Sequence, residues 1–347
     1  MKKTIHIQDL IRPDLVNIKA YSSARDEFSS EDEMIFLDAN ENPFDTNLNR
    51  YPDPYQYKLK SRISEIKGVP ADHIVLGNGS DEIIDLVIRL FCKSYEDNIL
   101  IFPPTYGMYK VVADLNAVQV KEVFLDADFQ LDASEALNHV TDDTKLIFVC
   151  TPNNPSGNAI ERQQILKLLD NFNGIVVIDE AYNDFSNEAS FTEELDSYEN
   201  LVVMQTFSKA SGLAGARLGM CFTNPNIVAY LNKIKPPYNV NTLTQQVALE
   251  KLASIEEAKH QIETILSERK RLKRDLKEMS WIEKIYPSQA NFLLVKVDDA
   301  NKRYKQCIDH KIVVRNRHTQ PNCENCLRFT VGTPEENKAF LEVISKF

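Results

Sequence analysis

No run of apolar residues in this 347-residue chain approaches the roughly 18–20 that span a bilayer. The basic start, Met1-Lys2-Lys3, is followed by an amphipathic stretch (Thr4 to Asp9), not by the apolar segment and small-residue cleavage site of an export signal. Together these absences predict a cytoplasmic protein. Positive charge is also scarce: 40 Lys and Arg stand against 51 Asp and Glu, a net charge of −11. Such a balance argues against nucleic acid and against an anionic membrane surface as partners, although a local basic pocket for a small anion remains compatible with it. Repeats and low-complexity linkers are absent. The six cysteines (Cys92, Cys150, Cys221, Cys307, Cys323, Cys326) sit mostly in apolar contexts and read as reduced core thiols. Cys323-x-x-Cys326 has no second CxxC or HxxxH to complete a zinc site. No metal is expected, and the pair reads as a turn (Gln320-Pro321-Asn322) entering a strand.

What is present suits two domains, with 43% hydrophobic residues to build cores and 26% charged residues to keep them in water. Five apolar runs punctuate the middle of the chain: Ile74 to Leu76, Ile99 to Phe102, Leu146 to Cys150, Ile175 to Ile178 and Leu201 to Met204. They are continuously apolar, as strands buried on both faces of an α/β sheet are. A helical pattern over Asp81 to Cys92 follows the first, and the strand–helix alternation implies a mostly parallel mixed sheet flanked by helices. After about Glu256 the texture changes. A charged amphipathic helix is predicted over Ile255 to Met279, with Ile262, Ile265, Leu266, Leu272 and Leu276 as its stripe. Strands are predicted over Asn291 to Val297, Ile312 to Arg315 and Leu327 to Val331. The expected division is a large domain over 31–252 and a smaller α+β domain made of 1–30 and 253–347.

In open α/β sheets ligands bind beyond the carboxyl ends of the strands, so the polar residues that stop each run carry most information. Gly77-Asn78-Gly79-Ser80-Asp81-Glu82 lies between a strand and a helix, where glycines allow a tight turn and the first helical amides favour a phosphate. The plain alternative is a capped turn with Ser80 or Asp81 as N-cap. Thr151-Pro152-Asn153-Asn154-Pro155-Ser156-Gly157 is a rigid turn that can aim an Asn amide, or an ordinary Asx turn. Asp179-Glu180-Ala181-Tyr182 puts a carboxylate at a buried strand end, costly unless partnered, with a helix cap as the alternative. Thr206-Phe207-Ser208-Lys209 puts a lysine in the same kind of place, either a nucleophile of lowered pKa or a snorkelling surface residue.

Each signal is moderate alone, but the four together supply what pyridoxal 5'-phosphate (PLP) requires: a Schiff-base lysine, a phosphate cradle and an acidic partner for the pyridine nitrogen. Lys209 fits the first. Asp179 fits the ring nitrogen, and Tyr182 and Asn154 fit the ring hydroxyl oxygen. Ser80, Asp81, Ser208 and Arg217 fit the phosphate, and Gly79 and Thr206 are expected in the same cofactor site.

Over nearly its whole length the chain resembles fold-type I PLP-dependent aminotransferases, and within them the histidinol-phosphate aminotransferase family. Beside the four blocks above, the resemblance rests on Leu37-Asp38-Ala39-Asn40-Glu41-Asn42-Pro43, Asn49-Arg50-Tyr51-Pro52 and Pro103-Pro104-Thr105-Tyr106-Gly107-Met108-Tyr109. Ser208-Lys209-Ala210, Leu213 to Gly219 and Cys326 to Gly332 complete it. It implies that Tyr106 stacks on the cofactor ring and that Tyr51 reaches the neighbouring subunit's cofactor phosphate in a homodimer. It further implies that Arg328, helped by Arg315 and Tyr21, binds the substrate's anionic end, a role suited to a guanidinium fork; the alternative for Arg328 is a surface salt bridge. The implied reaction is reversible amino transfer between L-histidinol phosphate and 2-oxoglutarate. Rival readings are an aromatic amino-acid aminotransferase, a PLP decarboxylase acting on an amino-acid phosphate, and a ligand-binding regulator on the same fold. Two departures stand out: Ser211, where the family often has Phe, and the Cys323–Cys326 pair.

Overall fold

The computed structural model describes residues 6–19 and 35–347. A short helix α1 (Ile7–Leu10) precedes α2 (Tyr57–Lys67), β1 (Ile74–Asn78), α3 (Ser80–Phe91), β2 (Asn98–Ile101), α4 (Met108–Leu115) and β3 (Gln119–Glu122). Next come α5 (Ala133–Asn138), β4 (Thr144–Cys150), α6 (Arg162–Asn171), β5 (Ile175–Asp179), β6 (Leu201–Thr206) and β7 (Leu218–Thr223). Helices α7 (Pro225–Ile234), α8 (Thr242–Ala253) and α9 (Ile255–Leu276) lead to β8 (Ile282–Ile285) and β9 (Phe292–Val297). The chain ends with α10 (Ala300–Asp309), β10 (Arg315–Asn316), β11 (Cys326–Thr330) and α11 (Pro334–Ile344).

The first seven strands form one sheet in the order β1-β7-β6-β5-β4-β2-β3. Only β7 runs against its neighbours. The continuous apolar runs fill two cores, one on each face, by simple alternation. Ile147, Val149, Val176 and Ile178 point into one; Leu146, Phe148, Ile175 and Val177 point into the other. Helix α3 packs Ile83, Ile84, Val87 and Leu90 into the second core and carries an acidic first turn, Asp81 and Glu82. Ile7 and Ile11, from the described part of the N-terminal segment, also pack into that core.

Strands β8 to β11 form a second, antiparallel sheet in the order β10-β11-β9-β8. Its core joins Leu272 and Leu276 of α9 to Leu293, Val295, Leu327 and Phe329. The strand expected over Ile312 to Arg315 is shorter and later: only Arg315 and Asn316 pair with β11. Ile312 to Val314 turn from α10 toward the sheet without joining a ladder. Three strands had no clear pattern to announce them, among them the short β8 (Ile-Glu-Lys-Ile). β3 is a polar edge (Gln-Val-Lys-Glu), and β7 carries Gly219 in its interior. Among the described residues no helix is long and apolar enough to cross a membrane.

Candidate active site

The carboxyl ends of β1, β4, β5 and β6 stop along one edge of the large sheet. Because β7 runs the other way, its first residue meets the same edge, so Arg217, just before it, arrives beside Gly79 and Asp81. A cavity of about 130 Å³ lies there, lined by Ser80, Asp81, Tyr106, Asn154, Asp179, Tyr182, Thr206, Ser208, Lys209 and Arg217, with Cys150, Ala181 and Ala214. A larger apolar cavity of about 210 Å³ lies beyond the lysine loop under α2 and α9 and includes Ser211; of the groups above it shares only Thr206.

Asp179 ends β5 with its side chain buried. Its Oδ2 accepts from the Tyr109 hydroxyl at 2.6 Å, and its Oδ1 accepts from the Ala181 amide at 3.0 Å. Burial raises its pKa against the pull of these two bonds. Among the described residues no cation forms an ion pair with it, so a buried carboxylate waits for a positive partner, as a protonated ring nitrogen would be. Tyr109 itself is fully enclosed, stacked on Phe148 with centroids 4.9 Å apart and edge-on to Tyr106 at 5.6 Å. Sequence reading assigned Tyr109 no role. Its place in the Pro103 to Tyr109 block was the available signal.

The anion cradle is built at the start of α3. Its N-cap is Gly79, at φ +77°, not Ser80 or Asp81 as the capped-turn alternative had it. The first amides of a twelve-residue helix are therefore left to face the cavity. The Asp81 carboxylate cannot itself hold a phosphate. Instead it accepts from Arg217 at 3.1 Å and from the Tyr106 hydroxyl at 3.0 Å, which leaves its amide for an anion. Close approach is enforced by glycine. A Cβ on Gly79 would fall 2.5 Å from the Arg217 guanidinium, and one on Gly219 would fall 2.3 Å from Ser80 N. The Thr206 hydroxyl is used within the loop, donating to Leu218 O at 3.3 Å and accepting from Ser208 N at 3.1 Å.

Lys209 lies three residues beyond the end of β6. As a residue it is exposed, opening toward the cavity, and among the described residues it makes no ion pair. Its ammonium lies 5.7 Å from the Tyr182 ring centroid. Partial burial lowers its pKa, Arg328 lowers it further, and Asp179 and Asp81 oppose the shift. The Tyr182 hydroxyl accepts from Asn154 Nδ2 at 3.4 Å.

Arg328, on β11 of the small sheet, donates to Asn154 Oδ1 and lies 5.0 Å over the Phe292 ring. It forms no salt bridge among the described residues, and burial lowers its pKa. Arg315 stands directly opposite it on β10. Tyr51 does not line the cavity. It is half-exposed, stacked on Tyr238 at 4.4 Å, in a separate groove with Asn40, Glu41, Arg50 and Leu243. Tyr21 lies outside the described residues. Cys323 and Cys326 are free, buried thiols, and no metal-binding group of His, Cys, Asp and Glu occurs among the described residues.

A parallel-stranded sheet with lysine, buried aspartate and helix-borne anion cradle at one edge defines a PLP-dependent aminotransferase. The description "Aminotransferase class I and II" matches residues 35–344, and the chain belongs to that family. Within it, the chain is 52% identical to the histidinol-phosphate aminotransferase of Christiangramia forsetii, over 99% of both chains. The crystal structure of the histidinol-phosphate aminotransferase from Clostridium acetobutylicum superposes with a TM-score of 0.79 at 28% identity, covering 86% of this chain and 91% of that one. That from Sinorhizobium meliloti, a complex with PLP, gives 0.77 at 23% identity over 86% and 83%, a likeness of fold.

Proposed function

We propose that this protein transfers the amino group of L-histidinol phosphate to 2-oxoglutarate, reversibly, giving imidazole acetol phosphate and L-glutamate in histidine biosynthesis. One observation carries the reading beyond the class: Arg328 reaches from the small sheet to Asn154 at the mouth of the Lys209 cavity and, among the described residues, pairs with no carboxylate. An anionic substrate end can therefore sit on Arg328 while its amine faces Lys209.

PLP, when bound, supplies a carbon that exchanges the amino group and a ring that accepts electrons. Lys209 is its covalent anchor. With PLP bound, the Lys209 amine would also move the proton at the substrate's amine-bearing carbon, a role suited to a lowered pKa. Asp179 supplies the fixed negative charge against the ring nitrogen, and Tyr109 holds its orientation. Tyr182 and Asn154 present a hydroxyl and an amide to the ring oxygen. The Ser80 and Asp81 amides, Ser208 and Arg217 hold the cofactor phosphate, with Gly79 and Thr206 shaping the cradle. Tyr106 covers the ring. Arg315 and Tyr21 assist Arg328 with the substrate.

A second copy of the chain completes the site through Tyr51. Leu48 and Leu243, which line the groove beside Tyr51, are exposed apolar side chains, of the kind that a partner surface covers.

The visible spectrum tests the reaction. The PLP-loaded protein should be yellow, bleach with L-histidinol phosphate alone, and recover its colour with 2-oxoglutarate. Bleaching only with phenylalanine or tyrosine would move the function to aromatic substrates. Release of carbon dioxide without a need for keto acid would make it a decarboxylase. Failure to take up PLP at all would sink the reading.

A further inference from the structure

Asn316 to Asn325 is a polar stretch that drew no functional expectation, yet it carries a guanidinium toward the site. Arg317 continues the β10–β11 ladder, its amide donating to Cys326 O at 2.9 Å. Opposed residues of an antiparallel pair share a face, and so do residues two apart. Arg315, Arg317 and Arg328 therefore lie on one face of the small sheet, while Leu327 on the other face fills that sheet's core. The shared face is the one from which Arg328 reaches Asn154. The loop beyond Arg317 is pinned to the large unit by Asn322 Nδ2, which donates to Leu125 O at 2.8 Å. It is braced internally by the Asn325 amide, which donates to His318 Nδ1 at 3.0 Å.

Three guanidiniums on one face repel one another, and among the described residues none of them is paired with a carboxylate. The Nε atoms of Arg317 and Arg328 are buried with no hydrogen-bond partner there. Burial and the charges of Arg328 and Arg315 hold the Arg317 guanidinium down to about 10, and its charge reaches the Tyr182 phenol. Buried donors without acceptors are costly. An arrangement of this kind is stable when an anion binds, and a dianion satisfies it better than a carboxylate.

We propose that Arg317 is a specificity-determining residue, which together with Arg315 and Arg328 selects substrates whose far end is a phosphate monoester dianion. The proposal rests on the reaction assigned above and deepens it. Arg328 alone suffices for the single carboxylate that an aromatic amino acid offers. The added charge of Arg317 favours the phosphate.

The test compares Arg317→Gln and Arg317→Lys with the unmodified holoenzyme, using L-histidinol phosphate and its phosphate-free counterpart L-histidinol, each read as bleaching of bound PLP. For Arg317→Gln, KM for the phosphate substrate should rise about tenfold or more with kcat little changed, as loss of a hydrogen bond between charged groups predicts. The rate with L-histidinol should stay as it was, and Arg317→Lys should recover most of the loss. Equal losses on both substrates, or no loss on either, would overturn the proposal. If the unmodified holoenzyme ignores L-histidinol phosphate, the assigned reaction fails instead. Binding of inorganic phosphate to the holoenzyme, measured by calorimetry, then decides the proposal: weaker binding in Arg317→Gln supports it and unchanged binding refutes it.

Discussion

The Tyr109 hydroxyl donates at 2.6 Å to Oδ2 of Asp179, seventy positions along the chain, inside a fully buried layer of the sheet. This bond and the Ala181 amide hold the carboxylate in one orientation, while burial works against its charge. Among the described residues no cation pairs with this carboxylate, and in the proposed function the cofactor ring nitrogen would be its partner.

Replacing Asp179 with Asn should lower kcat by about a hundredfold or more, the scale of losing one preorganised charge at a reacting centre. Tyr109→Phe, which frees the carboxylate without removing it, should cost about tenfold, the scale of one hydrogen bond to a charged group. Single-turnover bleaching rates for the two variants check the order. A Tyr109 loss as large as the Asp179 loss would make the tyrosine more than an orienting group.

The raised pKa of Asp179 has a consequence for the cofactor-free protein. An acid whose folded pKa lies above its unfolded value destabilises the fold wherever it is ionised in both states, and the penalty fades as pH falls through the folded pKa. Cofactor-free Asp179→Asn should therefore melt higher than the parent at pH 8, with the gap closing toward acid pH. Melting curves across pH measure this directly; a variant that melts lower at pH 8 contradicts it.

Arg328 is the largest charge effect on the Lys209 amine, second only to burial. Removing it in Arg328→Gln lets the ammonium persist, so the lysine pKa should rise. In the cofactor-free protein the pH midpoint for labelling Lys209 with an amine reagent, followed on the Lys209 peptide, should move upward. A midpoint that stays put or moves down would separate Arg328 from the lysine.

Gly219 tests the anion cradle. Alanine there puts a methyl 2.3 Å from Ser80 N and 2.4 Å from Gly79 C, both backbone, so the turn must move. Overpacking of this kind costs about 1–3 kcal/mol. Gly219→Ala should weaken PLP retention during dialysis and lower the melting temperature; normal retention would show that the cradle tolerates the shift.

If Tyr51 serves the neighbouring subunit, mixing inactive Tyr51→Phe and Lys209→Ala chains should regenerate activity that neither has alone. In a mixed dimer one site carries both lesions and the other neither. A mixture that regains no activity would place Tyr51 in its own subunit's site.

Much of this molecule was legible before any coordinates. Continuous apolar runs such as Leu146 to Cys150 announced strands buried on both faces, and the polar residues that stop them, Asp179 and Lys209 among them, meet at one cavity. For Lys209 the sequence left a lowered-pKa nucleophile and a snorkelling surface residue open, because a strand end can open into a cavity as readily as into packed core. Tyr109 drew no role, since nothing local tells a core tyrosine from one that orients a carboxylate. Arg317 sits in a polar stretch whose composition resembles any surface loop.

The sequence by itself determined the elements, the turns and the chemical types at each strand end, because apolar periodicity, glycine and proline act over a few residues. Only the tertiary structure decided that β7 enters the sheet in reverse and delivers Arg217 to the cradle. It alone decided that Arg328 meets Asn154 across 174 positions and that three arginines share one face. Strand order and the docking of one sheet on another follow from burial summed over the whole chain, and no local pattern records that sum.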